Sequence, residues 1–281
     1  MTLDFKLQKL KEILTSYERI LVALSGGVDS AFLLAFSSKY LGVDKVCAIT
    51  ANGPHLAQDE VDYATELCKK LGIGHTIIDM PHLLPIIEPN PQDRCYHCKR
   101  EIFSTFREYA DSKNYVLCDG TNLDDMNDYR PGHKALQELN VANPLKEADL
   151  SKKDIREALH ELSKDNPEIL SALTLPNGIG IWEKPAFACL ASRIPYGEII
   201  TVEKLEAIYK AEIYLRSLGF TQVRVRHHGD IARIETTPSE TMKLFEENLI
   251  ENVNEYIKSC GFKYATLDLG GYKMGGGYHD K

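Results

Sequence analysis

Ile20-Leu21-Val22-Ala23-Leu24-Ser25-Gly26-Gly27-Val28-Asp29-Ser30 decides how this chain is read, because an apolar run passes through two glycines straight into a helical pattern. The apolar run suits a buried strand. Adjacent glycines let backbone N–H groups approach an anion with no Cβ in the way, and the helix that follows turns its unpaired N–H groups and positive dipole end toward the same anion. Ser25 and Ser30 add hydroxyl donors. Asp29 repels phosphate on its own, so its chemical role is to hold Mg²⁺ that bridges phosphate oxygens. ATP is the first ligand this pattern suggests. The loop ends in neither Gly-Lys-Ser/Thr nor the G-x-G-x-x-G of dinucleotide folds. A plain Gly-rich turn capped by Asp29 is the structural alternative.

Outward from the loop, short apolar runs alternate with helical patterns from Arg19 to about Leu162, the sequence form of a parallel sheet covered by helices. Strands are expected at Arg19–Leu24, Lys45–Thr50, His75–Asp79 and Tyr115–Asp119, and helices at Val28–Leu41, Leu56–Leu71 and Lys99–Ser112. Ligands of such sheets gather at the carboxyl ends of strands, where both the loop and Asp119-Gly120-Thr121-Asn122-Leu123-Asp124-Asp125 belong. Ser151 reads as the cap of a further helix, and the stretch from Lys164 to Pro185 as a long loop. Beyond Ile200 the rhythm becomes helix, strand, strand, helix, strand: Val202–Leu218, Gln222–His227, Ile231–Thr236, Ser239–Ser259 and Lys263–Leu267, with His228-Gly229-Asp230 as a hairpin turn. The expected architecture is α/β, an open parallel sheet with helices on both faces over residues 1–198, plus a small α+β domain over residues 199–281.

The 281 residues carry a net charge of −8 with basic residues dispersed, which disfavours a large nucleic-acid ligand. The N-terminus lacks the apolar stretch of a signal peptide or membrane span, so a cytoplasmic protein without a membrane partner is expected. Seven cysteines in a reducing compartment point away from a disulfide framework.

Cys95-Tyr96-His97-Cys98 follows a Pro- and Asn-containing loop rather than a strand, unlike a thioredoxin-type pair, and no second Cys-x-x-Cys completes a structural zinc site. Cys189 lies in polar surroundings and is the remaining candidate ligand. Cys95, Cys98 and Cys189 suit an iron–sulfur cluster with one iron left open to carry an extra sulfur, and an unrelated pair plus a single thiol is the plain alternative. Cys47, Cys68, Cys118 and Cys260 read as small apolar residues.

Ser25-Gly26-Gly27-x-Asp29-Ser30 resembles the signature of the PP-loop ATP pyrophosphatases, with an adenine nucleotide alpha hydrolase-like fold. These enzymes split ATP between the α- and β-phosphates to adenylate a substrate oxygen. Asp119-Gly120-Thr121-Asn122-x-x-Asp125-x-x-Asp128-Tyr129-Arg130-Pro131-Gly132, Cys189-Leu190-Ala191-Ser192-Arg193-Ile194-Pro195-Tyr196-Gly197, Val223-Arg224-Val225-Arg226 and Leu267-Asp268-Leu269-Gly270-Gly271 narrow the resemblance to the LarE family. The resemblance covers nearly the whole chain. It implies ATP-dependent conversion of a carboxylate of pyridinium-3,5-biscarboxylic acid mononucleotide to a thiocarboxylate in nickel-pincer nucleotide synthesis, and a homo-oligomer. One branch of the family sacrifices a cysteine at the place of Cys189. The other carries a Cys-x-x-Cys like that of Cys95 and Cys98, and this chain matches that pattern, which implies a 4Fe-4S cluster and a separate sulfur donor, either sulfide or a sulfur carrier.

Arg224 and Arg226 are two apart on a strand and so share a face. A solvated face is the plain reading, and the resemblance makes them ligands of the substrate phosphate. Lys99 and Arg193 are placed to neutralise phosphate or adenylate charge, and Asp268 and Glu212 resemble acidic family residues of the active site. Glu212 otherwise reads as an exposed helix carboxylate, and His227-His228 as a solvated turn. Thr121, Asn122 and Asp125 are assigned to ATP, with Asp128 as a further nucleotide or Mg²⁺ ligand. The rival functions are a cluster-dependent tRNA thiolase, an ammonia-using amidating enzyme and a non-catalytic ATP-binding regulator. The dispersed charge disfavours the first, and the amidating enzyme leaves the three cysteines without a role.

Overall fold

A computed structural model describes residues 1–127, 131–164, 166–246 and 248–272. Its helices and strands are α1 (Leu3–Thr15), β1 (Ile20–Ala23), α2 (Val28–Leu41), β2 (Val46–Asn52), α3 (Gln58–Leu71), β3 (Gly74–Asp79), α4 (Leu83–Ile87), α5 (Arg94–Ser112), β4 (Val116–Cys118), α6 (Pro131–Glu138), α7 (Pro144–Glu147), α8 (Lys152–Lys164), α9 (Pro167–Leu173), α10 (Val202–Ser217), β5 (Val223–His228), β6 (Ile231–Thr236), α11 (Pro238–Thr241), α12 (Leu249–Ser259) and β7 (Tyr264–Leu267). Their described residues fall into two compact units. One is built from residues 1–53, 58–81 and 93–186, the other from residues 54–57, 82–92 and the part of the chain from 187 on.

In the first unit four parallel strands lie in the order β3-β2-β1-β4. β1 is the pivot, with Leu21 in register with Cys47 of β2 on one side and Leu117 of β4 on the other. All four β1 residues are buried, so both faces of the sheet are covered there, which is why the strand is continuously apolar rather than alternating. The chain moves outward from β1 to β3 and then returns to the opposite side of β1. This reversal places a crevice at the carboxyl ends of β1 and β4, where the phosphate-loop sequence and the Asp119–Asp125 segment begin. α2 is buried almost all round, from Ser30 through Ser37, and packs on α1, α3, α8, β1 and β2.

Two expectations for this unit are corrected. α5 starts at Arg94, five residues before Lys99, so Cys95 and Cys98 lie within the helix rather than ahead of it. The stretch expected as a loop from Lys164 to Pro185 contains α9, whose Asn166 cap accepts from the N–H groups of Glu168 (2.9 Å) and Ile169 (3.2 Å), with Pro167 in the first turn.

In the second unit β5 and β6 pair antiparallel and β7 joins β6 in parallel. Gly229 takes the positive φ of 59° that the hairpin turn requires. α10 and the 3₁₀ turn Leu190–Arg193 pack on β5. Asn90, fully buried, donates through Nδ2 to the carbonyls of Pro195 (2.7 Å) and Glu198 (3.1 Å), which fixes the segment after that turn. The helix expected over Ser239–Ser259 is broken into α11, a 3₁₀ turn and α12: Glu246 is extended (ψ 155°) after the 3₁₀ turn, and Asn248 takes a left-handed φ of 62° ahead of α12. Among the described residues no helix is long and apolar enough to cross a membrane.

Candidate active site

The loop between β1 and α2 closes on its own serines. Ser30 Oγ donates to the Gly27 carbonyl at 3.1 Å and accepts from the Ser25 N–H at 3.3 Å. With that proton committed, the 3.1 Å contact between the two hydroxyls runs from Ser25 to Ser30. Gly27 caps α2 with no side chain, so the first-turn N–H groups stay directed at the crevice. A Cβ on Gly120, just past β4, would lie 2.8 Å from the Ser30 nitrogen; glycine there lets the second rim segment touch the start of α2.

Asp29 stands at the entrance of α2. Lys152 Nζ donates to its Oδ2, while Oδ1 is buried and has no hydrogen-bond partner among the described residues. Burial pushes the Asp29 carboxyl up; Lys152 pulls it down, Asp125 repels it and Arg156 attracts it. A buried carboxylate oxygen without a donor, with a second carboxylate nearby, suits a hard cation.

On the β4 rim the polar side chains first hold the turn. Asp119 accepts from the Thr121 N–H (3.1 Å) and hydroxyl (2.7 Å), and Asn122 Oδ1 accepts from the Asp124 N–H at 2.9 Å while Asp125 Oδ2 accepts from the Asn122 N–H at 3.0 Å. Thr121 and Asn122 are buried. Asp128 lies outside the described residues.

Cys95 and Cys98, half-buried, lie near the start of α5 at the three-residue spacing of helical neighbours, on one face of the helix. Lys99 lies along Gly132 of α6, where a Cβ would meet its Cδ at 2.6 Å. Cys189 belongs to the second unit, at the start of the 3₁₀ turn. Among the described residues no three Cys, His, Asp or Glu side chains gather as a metal-holding group.

In the second unit the expected residues form a buried ionic cluster. Arg193 donates from Nε and Nη2 to the two oxygens of Glu212, each at 2.9 Å, and from Nη1 to the Cys189 carbonyl at 3.0 Å. Glu212 also accepts from the Val225 N–H at 3.0 Å. Burial pushes the Glu212 carboxyl up, but the charge and hydrogen bonds of Arg193, joined by Arg224 and that N–H, outweigh it and hold the carboxyl below its usual range. The exposed-carboxylate reading of Glu212 is therefore corrected: it is fully buried. Arg226 forms the same two-pronged pair with Glu235, both bonds at 2.9 Å, and donates to the Ser192 carbonyl at 2.8 Å. Arg224 lies over Phe187 and Tyr272, and burial together with repulsion from Arg193 lowers its guanidinium to about 10. Both arginines of the strand are buried, not on a solvated face. Asp268 accepts from the Gly270 N–H at 2.7 Å and lies 3.4 Å from Arg233 Nε. His227, read as part of a solvated turn, is buried against Phe262.

Sequence reasoning passed over Lys152, Glu60 and Lys184. Lys152 opens α8, where a cation opposes the helix dipole; that misplaced charge is the available signal for an anionic partner. Glu60 and Lys184 are 124 positions apart and offered no such signal.

Residues 19–93 match the family model described as queuosine biosynthesis protein QueC. Over 276 residues the chain is 40% identical to the uncharacterized protein slr1717 of Synechocystis sp., covering 97% of each chain. It is 36% identical to the pyridinium-3,5-bisthiocarboxylic acid mononucleotide synthase of Lactiplantibacillus plantarum, covering 98% of this chain and 94% of that one. An uncharacterized protein of Methanocaldococcus jannaschii, MJ0830, is 29% identical over 95% of this chain and 97% of its own. Identity at this level over nearly the whole of both chains, joined to a Ser-Gly-Gly loop at the switch point of a parallel sheet, places the protein: the chain belongs to the LarE family of ATP-dependent sulfurtransferases.

Proposed function

We propose that this enzyme uses Mg-ATP to adenylate a carboxylate of pyridinium-3,5-biscarboxylic acid mononucleotide and then replaces the activated oxygen with sulfur, in the cytoplasm, as a step of nickel-pincer nucleotide synthesis. The observation that carries the reading is the uncapped start of α2 beside Asp29, whose buried Oδ1 has no hydrogen-bond partner among the described residues. The name of the Lactiplantibacillus relative supplies the product class, a bisthiocarboxylic acid mononucleotide, of which the biscarboxylate is the oxygen counterpart.

A carboxylate resists nucleophiles because its oxygens leave poorly, and a phosphoryl group on one of them removes that obstacle. In the first step a substrate carboxylate oxygen attacks the α-phosphorus, the bond to the bridging oxygen of the β-phosphate breaks, and pyrophosphate departs. The N–H groups of the loop from Ser25 to Ser30 grip the departing charge, and Thr121, Asn122 and Asp125 border the nucleotide. Mg²⁺, when bound at Asp29 with Asp125 nearby, supplies charge neutralisation on the phosphate oxygens. In the second step a sulfur nucleophile adds to the acyl carbon and the carbon–oxygen bond to AMP breaks.

Arg224 and Arg226 take the substrate phosphate. Support comes from their shared burial on β5, where Arg224 lies against the Phe187 and Tyr272 rings with Arg193 and Arg226 close enough to repel it, a grouping of guanidiniums that favours an anion. Lys99 serves adenylate charge, Arg193 and Glu212 fix the Cys189 turn, and Asp268 orders the segment after β7.

Cys95, Cys98 and Cys189 are the proposed ligands of a 4Fe-4S cluster that would supply the sulfur, received from sulfide or a carrier. Thiol chemistry and the shared helix face of Cys95 and Cys98 support that part of the reading.

The test uses mononucleotide labelled with oxygen-18 in its carboxylates. Transfer of one label to AMP for each thiocarboxylate formed is expected; unlabelled AMP would contradict adenylation of the carboxylate.

A further inference from the structure

Lys184 reaches the back of the phosphate loop. Its Nζ donates to the Gly26 carbonyl at 2.9 Å and to Glu60 Oε2 at 2.8 Å, with the two side chains only 15% and 12% exposed. The Tyr63 ring lies 5.0 Å from the ammonium. The lysine backbone is fixed in turn, because Arg156 donates to its carbonyl at 2.7 Å and also to the Trp182 carbonyl, and its own N–H donates to Ile181 at 2.9 Å. Gly26 has a φ of 77°, and a Cβ there would lie 2.6 Å from the Glu60 carbonyl oxygen, so the loop backbone presses directly on this pair.

A trans peptide sends its C=O and N–H to opposite sides. With the Gly26 carbonyl turned onto Lys184, the Gly27 N–H faces away from Lys184, and the hydrogen bond it makes is a long 3.4 Å contact to Ser25 Oγ. A Gly-Gly peptide resists reversal weakly, because glycine populates both signs of φ. Reversed, it would aim a carbonyl oxygen where an anion is to bind. We infer that Lys184 is a positioning residue which, clamped by Glu60, holds the Gly26–Gly27 peptide with its N–H facing the pyrophosphate end of bound ATP. This rests on the ATP reading of the loop. It assigns Lys184 no contact with substrate; the ammonium acts through the peptide.

The test compares two halves of ATP as separate probes, Mg-pyrophosphate and AMP, titrated calorimetrically into full-length wild type, Lys184→Met, Lys184→Arg and the double variant Lys184→Met with Glu60→Gln. The double variant removes both charges together, so no uncompensated buried carboxylate remains to unfold the protein. Pyrophosphate affinity is expected to fall about tenfold in Lys184→Met and in the double variant, the loss of one charge-assisted contact, while AMP affinity changes by less than about twofold and Lys184→Arg keeps most pyrophosphate binding. Unchanged pyrophosphate affinity in the folded double variant, or equal losses for both probes, would overturn the assignment. Wild type that binds neither probe would overturn the ATP reading itself, and the assignment with it.

Discussion

Arg193 presents Nε and Nη2 to the two carboxylate oxygens of Glu212, each at 2.9 Å, and neither side chain touches solvent. The same guanidinium binds the Cys189 carbonyl, so the pair sets the backbone from which the Cys189 thiol projects. Replacing Glu212 with Ala strands a buried guanidinium and should cost about 3–5 kcal/mol in urea unfolding, whereas replacing both members by Met should cost markedly less. Equal costs would show that the partner's charge is not what the single variant exposes.

Asp29→Asn separates stability from function. Burial pushes the Asp29 carboxyl up, meaning that folding disfavours its charged form, so a neutral isostere should melt at the same or a higher temperature without nucleotide. It should also lose the stabilisation that Mg-ATP gives wild type. A variant still shifted by Mg-ATP as far as wild type would remove Asp29 from the nucleotide site.

Acid stability should report the contact between α1 and α8. Burial raises the Asp154 carboxyl, but hydrogen bonds from Lys6 and Ser151 outweigh this and bring it from its ordinary 3.8 down to about 2. A depressed carboxyl stabilises the fold above its unfolded pKa and loses that contribution as pH falls through the folded value. Unfolding free energy should therefore fall between about pH 4 and pH 2, and Lys6→Met should flatten that part of the curve. Identical slopes for wild type and variant would contradict the assignment.

Gly26→Ala meets two obstacles, a φ of 77° and a Cβ placed 2.6 Å from the Glu60 carbonyl. The backbone strain alone is worth about 1–3 kcal/mol, so both melting temperature and Mg-ATP affinity should drop. Gly42→Ala has a positive φ of 87° but open space around it; it should lower stability alone.

The sequence delimited α2 at Val28 and Leu41 because Gly27 and Gly42 bracket a strongly apolar helix, and β1, β2, β3 and β4 were legible as apolar runs within one or two residues at each end. α5 was read five residues short because Arg94–Cys98 has few apolar residues to show a period, and α9 was hidden although Asn166-Pro167 is a start signal. Glu212 was readable in principle. It lies four residues after Ile208 and three before Leu215, on the same buried stripe of α10, which marks it as a partnered core charge. The Asp29–Lys152 and Glu60–Lys184 pairs join positions more than 120 residues apart, and only the folded chain brings them together.

The most direct measurement is mass spectrometry of products after anaerobic incubation of cluster-reconstituted protein with Mg-ATP, sulfide and pyridinium-3,5-biscarboxylic acid mononucleotide, with unmodified tRNA as a parallel acceptor. Thiocarboxylate in the mononucleotide, with AMP and pyrophosphate in step, is the expected result, and product in excess of protein would show that Cys189 is not consumed. Sulfur found only in tRNA, or ATP bound without turnover in the presence of both acceptors, would contradict the account.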